Sequence, residues 1–217
     1  LKLMQAAQQG GGGHEIGAWV SGFYGSGKSS FTKYLGFALN KSFKVGPDSF
    51  LSLLQNRIQT SNAVQVRALF NSVASVYDAE IIFLDLASEM LASSSLEDIS
   101  TVLYLKVLQW AGYSEDIKIA ELERMLEKEG KLQEFHKRAM DELEGIPWLD
   151  VHNQPLVANS IATRLAAEFY PKIFPTPESF HRISVDILKS ELRRSEEMLE
   201  LIRRKSGKKN IIFIIDE

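Results

Sequence analysis

The chain has 217 residues, of which 45% are hydrophobic and 24% are charged, and its formal net charge is −3 at pH 7. This composition is typical of a folded globular protein and excludes a wholly disordered or collagen-like chain. It contains no cysteine, which excludes disulfides, a thiolate zinc site and a cysteine nucleophile, and the acidic balance provides no global basic field for nucleic acid.

The first part of the chain alternates between short apolar runs and amphipathic segments. A four-glycine loop over 10–13 precedes it. The predicted elements are, in chain order, a buried strand over 16–21, a helix over 28–40, a turn at Pro47-Asp48, helices over 51–58 and 63–76, and a second buried strand over 80–86. Buried strands separated by helices indicate an α/β core.

The following region is mostly amphipathic helix. The predicted helices cover 96–110 after capping boxes at 94–98, 114–129 with Ser114 as its cap, 131–143, 155–170, and 177–205 with Thr176 as its N-cap. A third buried strand covers 210–215. We therefore predict three segments: the N-terminal part of an α/β core over 1–86, a mainly helical insertion over 87–206, and a further core strand over 207–217.

A phosphate-binding loop is the strongest signal in the chain. The run Gly22-Phe23-Tyr24-Gly25-Ser26-Gly27-Lys28-Ser29 matches G-x-x-x-x-G-K-[ST] in full, between a predicted strand and a predicted helix as the motif requires. Its glycines allow backbone N–H groups to face a phosphate, the lysine places a cation on the β and γ phosphates, and the serine hydroxyl is a ligand for Mg²⁺. The predicted nucleotide-binding residues are Gly22, Phe23, Tyr24, Gly25, Ser26, Gly27, Lys28, Ser29 and Ser30.

A phosphate-binding loop also needs a carboxylate at the end of a neighbouring buried strand, where it holds Mg²⁺. Two predicted strands end in aspartate, at Asp85 and at Asp216. Asp216 is followed by Glu217, the pairing used by ATPases that activate water, whereas Asp85 is followed by Leu86. We therefore predict that Asp216 holds the metal and that Glu217 is the catalytic base, with Asp85 a strand-end residue beside the sheet.

This choice indicates the additional-strand, catalytic-glutamate branch of P-loop ATPases. Its AAA-like members have a parallel sheet in the order 5-1-4-3-2, in which the three predicted strands would be strands 1, 2 and 3. Strand 4 would then follow residue 217. The sequence also begins at Leu1 rather than at methionine and stops directly after an apolar run, so we expect the natural chain to continue beyond both ends.

Two segments of the chain, over 17–36 and over 210–217, resemble those of a known family. The segment over 17–36 is similar to the P-loop of the large ATPase of BREX phage-defence systems, the BrxC/PglY type, in which the loop typically reads G-F-[YF]-G-S-G-K-S. The closing Asn-Ile-Ile-Phe-Ile-Ile-Asp-Glu over 210–217 resembles the acidic strand of that family, and the helical segment between them has a similar layout. One departure is Ser30, where many members have histidine.

The resemblance implies a large multidomain cytoplasmic protein of which this is the N-terminal ATPase part. It implies hydrolysis of ATP with Mg²⁺, within a complex that distinguishes phage DNA from methylated host DNA. The implied partners are other BREX proteins, including a DNA methyltransferase. We further expect a homo-oligomer without membrane contact, in which any contact with DNA is made through the complex.

Three alternatives stay open from the residues alone. A STAND-like nucleotide switch would bind ATP tightly and hydrolyse it slowly, and a defence scaffold would bind ATP without turnover. A P-loop kinase is disfavoured because Glu217 would activate water. The basic residues over 193–209 are interleaved with glutamates, which favours a solvated helix face over a DNA contact, and the four histidines have no metal-ligand spacing.

Overall fold

The computed structural model describes residues 17–85, 99–181 and 191–216. Within these ranges the helices are α1 (Lys28–Leu39), α2 (Phe50–Arg57), α3 (Ala63–Val76), α4 (Ile99–Trp110), α5 (Ile117–Lys128), α6 (Leu132–Glu142), α7 (Trp148–Val151), α8 (Pro155–Phe169), α9 (Pro177–His181) and α10 (Glu191–Ser206). The strands are β1 (Lys44–Val45), β2 (Asp48–Ser49), β3 (Ala79–Asp85) and β4 (Asn210–Asp216).

The chain divides into two compact units. Unit 1 consists of Leu1–Leu96 together with Ile202–Glu217, and unit 2 consists of Glu97–Leu201. Unit 1 is thus discontinuous in sequence, and its two parts meet through the pairing of β3 with β4.

The sheet of unit 1 is formed by two strands that are far apart in sequence. β3 and β4 are parallel, in a register that runs from Ala79 opposite Asn210 to Asp85 opposite Asp216. Both strands are rich in isoleucine and phenylalanine, which suits a sheet with a covered face. In the predicted order 5-1-4-3-2, β3 would be strand 2 and β4 would be strand 3, which are neighbours. The positions of the other strands in that order stay a prediction.

Helix α1 packs closely on this sheet at a glycine. A Cβ built on Gly36 would lie 2.2 Å from Ile214 Cδ1 and 2.7 Å from Phe83 Cζ, so only glycine allows the observed approach. Phe37 on the same helix stacks on Phe43, with ring centroids 4.5 Å apart, and also contacts Phe83 at 4.9 Å. These contacts hold α1 against β3 and β4.

Unit 2 is a helical unit with its own apolar core. Trp148, Phe135, Leu165 and Ile119 are all almost fully buried in it, and the Phe135 and Trp148 rings meet edge to face with centroids 5.2 Å apart. The core also contains a buried carboxylate, that of Glu123, which is 1% exposed. Trp148 Nε1 donates a hydrogen bond to Glu123 Oε1 at 2.6 Å, and the Ser114 backbone N–H donates to Oε2 at 2.7 Å.

Most predicted elements are confirmed within one to three residues, including the helices over 28–40, 63–76 and 155–170. The predicted cap of the helix over 114–129 is wrong, because α5 begins later and Asp116 Oδ1 accepts from the N–H groups of Lys118 and Ile119. Ser114 instead donates its hydroxyl to the His152 carbonyl, 2.7 Å away. The capping boxes at 94–98 and the middle of the predicted helix over 177–205 lie outside the described residues.

The predicted buried strand over 16–21 is also wrong for the residues that the structure describes. Residues 17–21 form no strand and are exposed, Trp19 to 88% and Val20 to 42%. A strand needs a neighbour to accept and donate its backbone hydrogen bonds. In the predicted order the neighbours of this strand are strands 4 and 5, and the described residues form neither of them.

Candidate functional site

The phosphate-binding loop forms a tight turn that leads directly into α1. The Ser26 N–H donates to the Phe23 carbonyl at 3.1 Å, and both Gly25 and Gly27 have left-handed backbones, with φ of 76° and 84°. A side chain would be strained at either position. The two glycines therefore give the loop the sharp reversal that the motif predicts.

Gly27 is the N-cap of α1, and no described side chain caps this helix end. The first intrahelical bond is the one from the Phe31 N–H to the Gly27 carbonyl, at 2.9 Å. The N–H groups of Lys28, Ser29 and Ser30 consequently have no carbonyl of their own helix to bind. An uncapped helix N-terminus carries a partial positive charge, which favours an anion.

The side chain of Lys28 folds back over the loop. Its ammonium donates to the Gly22 carbonyl at 3.0 Å and to the Phe23 carbonyl at 3.1 Å. A Cβ on Gly22 would lie 2.8 Å from Ser26 Oγ and 3.7 Å from the aliphatic stem of Lys28, so a side chain at this position would force the Ser26 hydroxyl to move. The loop thus holds one cation beside its own N–H groups.

The remaining residues of the loop differ in exposure. Ser29 is half-buried and Ser30 is exposed, while the side chains of Phe23 and Tyr24 are 92% and 105% exposed. The two aromatic side chains therefore project into solvent rather than into the loop.

The two candidate aspartates lie side by side at the carboxyl end of the sheet. Asp85 ends β3, Asp216 ends β4, and the two are direct partners in the parallel register. Side chains alternate along a strand, so both aspartates lie on the same face of the sheet as Phe83 and Ile214, which contact α1. The sequence presents the two aspartates as alternative candidates for the metal-binding carboxylate, and in the fold they are neighbours.

Asp216 is bound to a cation on α1. Lys33 Nζ lies 3.1 Å from Asp216 Oδ2, and the two side chains are 41% and 18% exposed. Lys33 follows Ser29 by four residues, so the two lie on the same face of α1, one turn apart. The structure therefore places the predicted metal ligand Asp216 against the helix face that also carries Ser29. The predicted base Glu217 lies outside the described residues.

Lys33 is a residue of this site that sequence reasoning missed. Its spacing of four from Ser29 was the available signal, because it places a second cation on the helix face that follows the loop. Its partner could not be identified from the sequence, since that partner lies in a strand at the other end of the chain.

The donor set fits a hard cation, since a serine hydroxyl and aspartate oxygens are the ligands that Mg²⁺ prefers. The part of the chain that the structure describes has no group of three or more His, Asp or Glu side chains arranged to hold a metal. Nor does any helix in the described ranges have the length and apolarity needed to cross a membrane.

Comparison with known proteins gives no independent family assignment. The chain matches no protein-family model, and it has no significant match among solved structures.

Proposed function

We propose that the chain binds ATP at the loop over 22–30 and hydrolyses it to ADP and phosphate with Mg²⁺. The observation that carries the proposal is the combination of the loop with the acidic end of the sheet. A complete G-x-x-x-x-G-K-[ST] run precedes an uncapped helix, and that same helix packs against the strand that ends in Asp216.

The roles of the residues follow from their chemistry. The N–H groups of the loop and of the first turn of α1 bind phosphate oxygens, and the Lys28 ammonium stabilises charge on the transferring phosphoryl group. Ser29 and Asp216 would hold Mg²⁺, which when bound neutralises the β and γ phosphates. Glu217 orients the attacking water and accepts its proton.

Two nucleotide-binding alternatives are retained, since a complete loop binds a nucleotide whether or not hydrolysis follows. One is a STAND-like switch that hydrolyses slowly, and the other is a scaffold that binds ATP without steady turnover. Both share the loop over 22–30 with the ATPase, and they differ from it in whether steady turnover follows binding.

The cellular role proposed here rests on the resemblance of the two motifs to the BREX ATPases. We propose a cytoplasmic, homo-oligomeric ATPase that acts with other phage-defence proteins, including a DNA methyltransferase. The preference for ATP over GTP rests on the same resemblance, together with the lack of an N/T-K-x-D guanine-binding motif in the sequence.

The test is ATP turnover and nucleotide binding by the full-length protein, with wild type beside Glu217→Gln and Lys28→Ala. We expect Glu217→Gln to abolish turnover and to leave binding intact. Lys28→Ala should weaken binding by about tenfold or more, because it removes a charge-assisted contact to phosphate. Lys44→Ala, which changes an exposed lysine on β1, is the matched control and should behave as wild type.

The other outcomes assign the function differently. Binding without turnover in wild type would support the switch or the scaffold. Turnover that is unchanged in Glu217→Gln would leave Asp85 as the candidate acidic residue. Binding that Lys28→Ala leaves unaltered would overturn the assignment of the loop.

A further inference from the structure

The Lys33 ammonium occupies the carboxylate that the proposed function gives to Mg²⁺. Lys33 Nζ contacts Asp216 Oδ2 at 3.1 Å. Asp216 is only 18% exposed and lies beside Asp85 in the sheet register. Two adjacent carboxylates repel each other, and burial raises the free energy of each charged form. A neighbouring ammonium offsets both effects.

We propose that Lys33 is the resting counter-ion of Asp216, and that binding of Mg²⁺ with a nucleotide requires Lys33 to give up this contact. The inference rests on the proposed function, because it assumes that Asp216 takes part in the metal site. An ammonium and a divalent cation on the same carboxylate repel each other, so the ion pair competes with the metal. Lys33 is then a positioning residue that weakens metal binding and stabilises the metal-free protein.

The exposure of Lys33 is compatible with such an exchange. Its side chain is 41% exposed, so the ammonium reaches water when it leaves Asp216. Partly exposed ion pairs contribute about 0.2–1 kcal/mol, which corresponds to a factor of roughly 1.4 to 5 in an equilibrium constant. The pair is therefore weak enough for Mg²⁺ to displace and strong enough to be measured.

The test compares nucleotide affinity with and without the metal. The dissociation constant of a fluorescent ATP analogue is measured in excess Mg²⁺ and in EDTA, for full-length wild type, Lys33→Met and Lys33→Arg. We expect the ratio of the EDTA value to the Mg²⁺ value to rise about 1.4- to 5-fold in Lys33→Met, because the competing cation is gone. Lys33→Arg keeps the charge and should retain the wild-type ratio.

Lys41→Met is the matched control. Lys41 is 46% exposed and lies 4.0 Å from the Asp78 carboxylate, so it resembles Lys33 in exposure and in having an acidic partner. Its partner is not one of the predicted site residues, and the ratio should stay at the wild-type value.

Two results would overturn the inference, and they are distinguishable. If wild type binds the analogue and the ratio in Lys33→Met is unchanged or lower, Lys33 does not compete with the metal, and the proposed function stands without this feature. If wild type binds no nucleotide in either condition, the proposed function itself fails and the role of Lys33 fails with it.

Discussion

Asp85 and Asp216 are direct partners at the carboxyl ends of two parallel strands, although 130 other residues separate them in the chain. Both lie on the face of the sheet against which α1 packs, and Asp216 is held there by Lys33. In open α/β sheets, ligands bind outside the carboxyl ends of the strands. If Mg²⁺ binds as proposed, both carboxylates lie at the same end of the sheet, and the two residues differ in which one contacts the metal.

The two aspartates should differ in their effect on the metal-dependent reaction. Asp216→Asn is expected to lower Mg²⁺-dependent ATP turnover by roughly 100-fold, because in the proposed function Asp216 is a charged ligand of the metal. Asp85→Asn is the comparison variant and should lower turnover by less than about tenfold, since the proposed function gives Asp85 no contact with the metal. Steady-state turnover at varied Mg²⁺ measures both, and a larger loss in Asp85→Asn would reverse the assignment.

The close approach of α1 to the sheet predicts a packing defect. Gly36→Val should destabilise the protein by about 1–3 kcal/mol, because its side chain would overlap Ile214 and Phe83 and force α1 away from β3 and β4. Gly17→Val is the control, since a Cβ at Gly17 meets nothing within 4 Å. Urea unfolding measures both variants. Equal stability of the two would mean that α1 does not pack on the sheet through Gly36.

The buried carboxylate of unit 2 predicts a second stability effect. Glu123→Gln should cost about 2–3 kcal/mol, because an amide cannot accept from both the Trp148 indole and the Ser114 N–H without turning a donor toward one of them. The control Glu115→Gln changes an exposed carboxylate and should stay within about 0.5 kcal/mol of wild type. Denaturant unfolding monitored by tryptophan fluorescence measures the free energy of unfolding of each variant. Equal values for both variants and wild type would contradict the prediction.

Burial of His136 in unit 2 predicts that the stability of the protein depends on pH. Burial lowers the pKa of His136 below its ordinary value, with His152 acting in the same direction and Glu123 in the opposite one. The unfolded state then binds more protons than the folded state between this lowered pKa and about 6.5. Stability should therefore fall as the pH drops through 6.5, and this loss should be smaller in His136→Gln. Unfolding free energies at pH 7.5 and pH 5.5 test it, and an equal loss in both proteins would contradict it.

Sequence reasoning was most successful where structure is set by neighbours in the chain. The loop over 22–29 and the start of α1 at Lys28 were predicted correctly, because glycine and helix-forming residues act within a few positions. It failed for residues 17–21, where an apolar run was read as a buried strand. An apolar run favours burial, but a strand also needs a partner that may come from any part of the chain.

By itself, the sequence determined the phosphate-binding motif, most of the helices and the two strands that end in aspartate, because each depends on local spacing and periodicity. Only the tertiary structure decided that Asp85 and Asp216 are neighbours, that Lys33 binds Asp216, and that Glu123 accepts from Trp148. Those relationships join residues distant in sequence. The register of parallel strands and the packing of α1 on them determine which side chains meet at the site, and neither leaves a periodic signal in the chain.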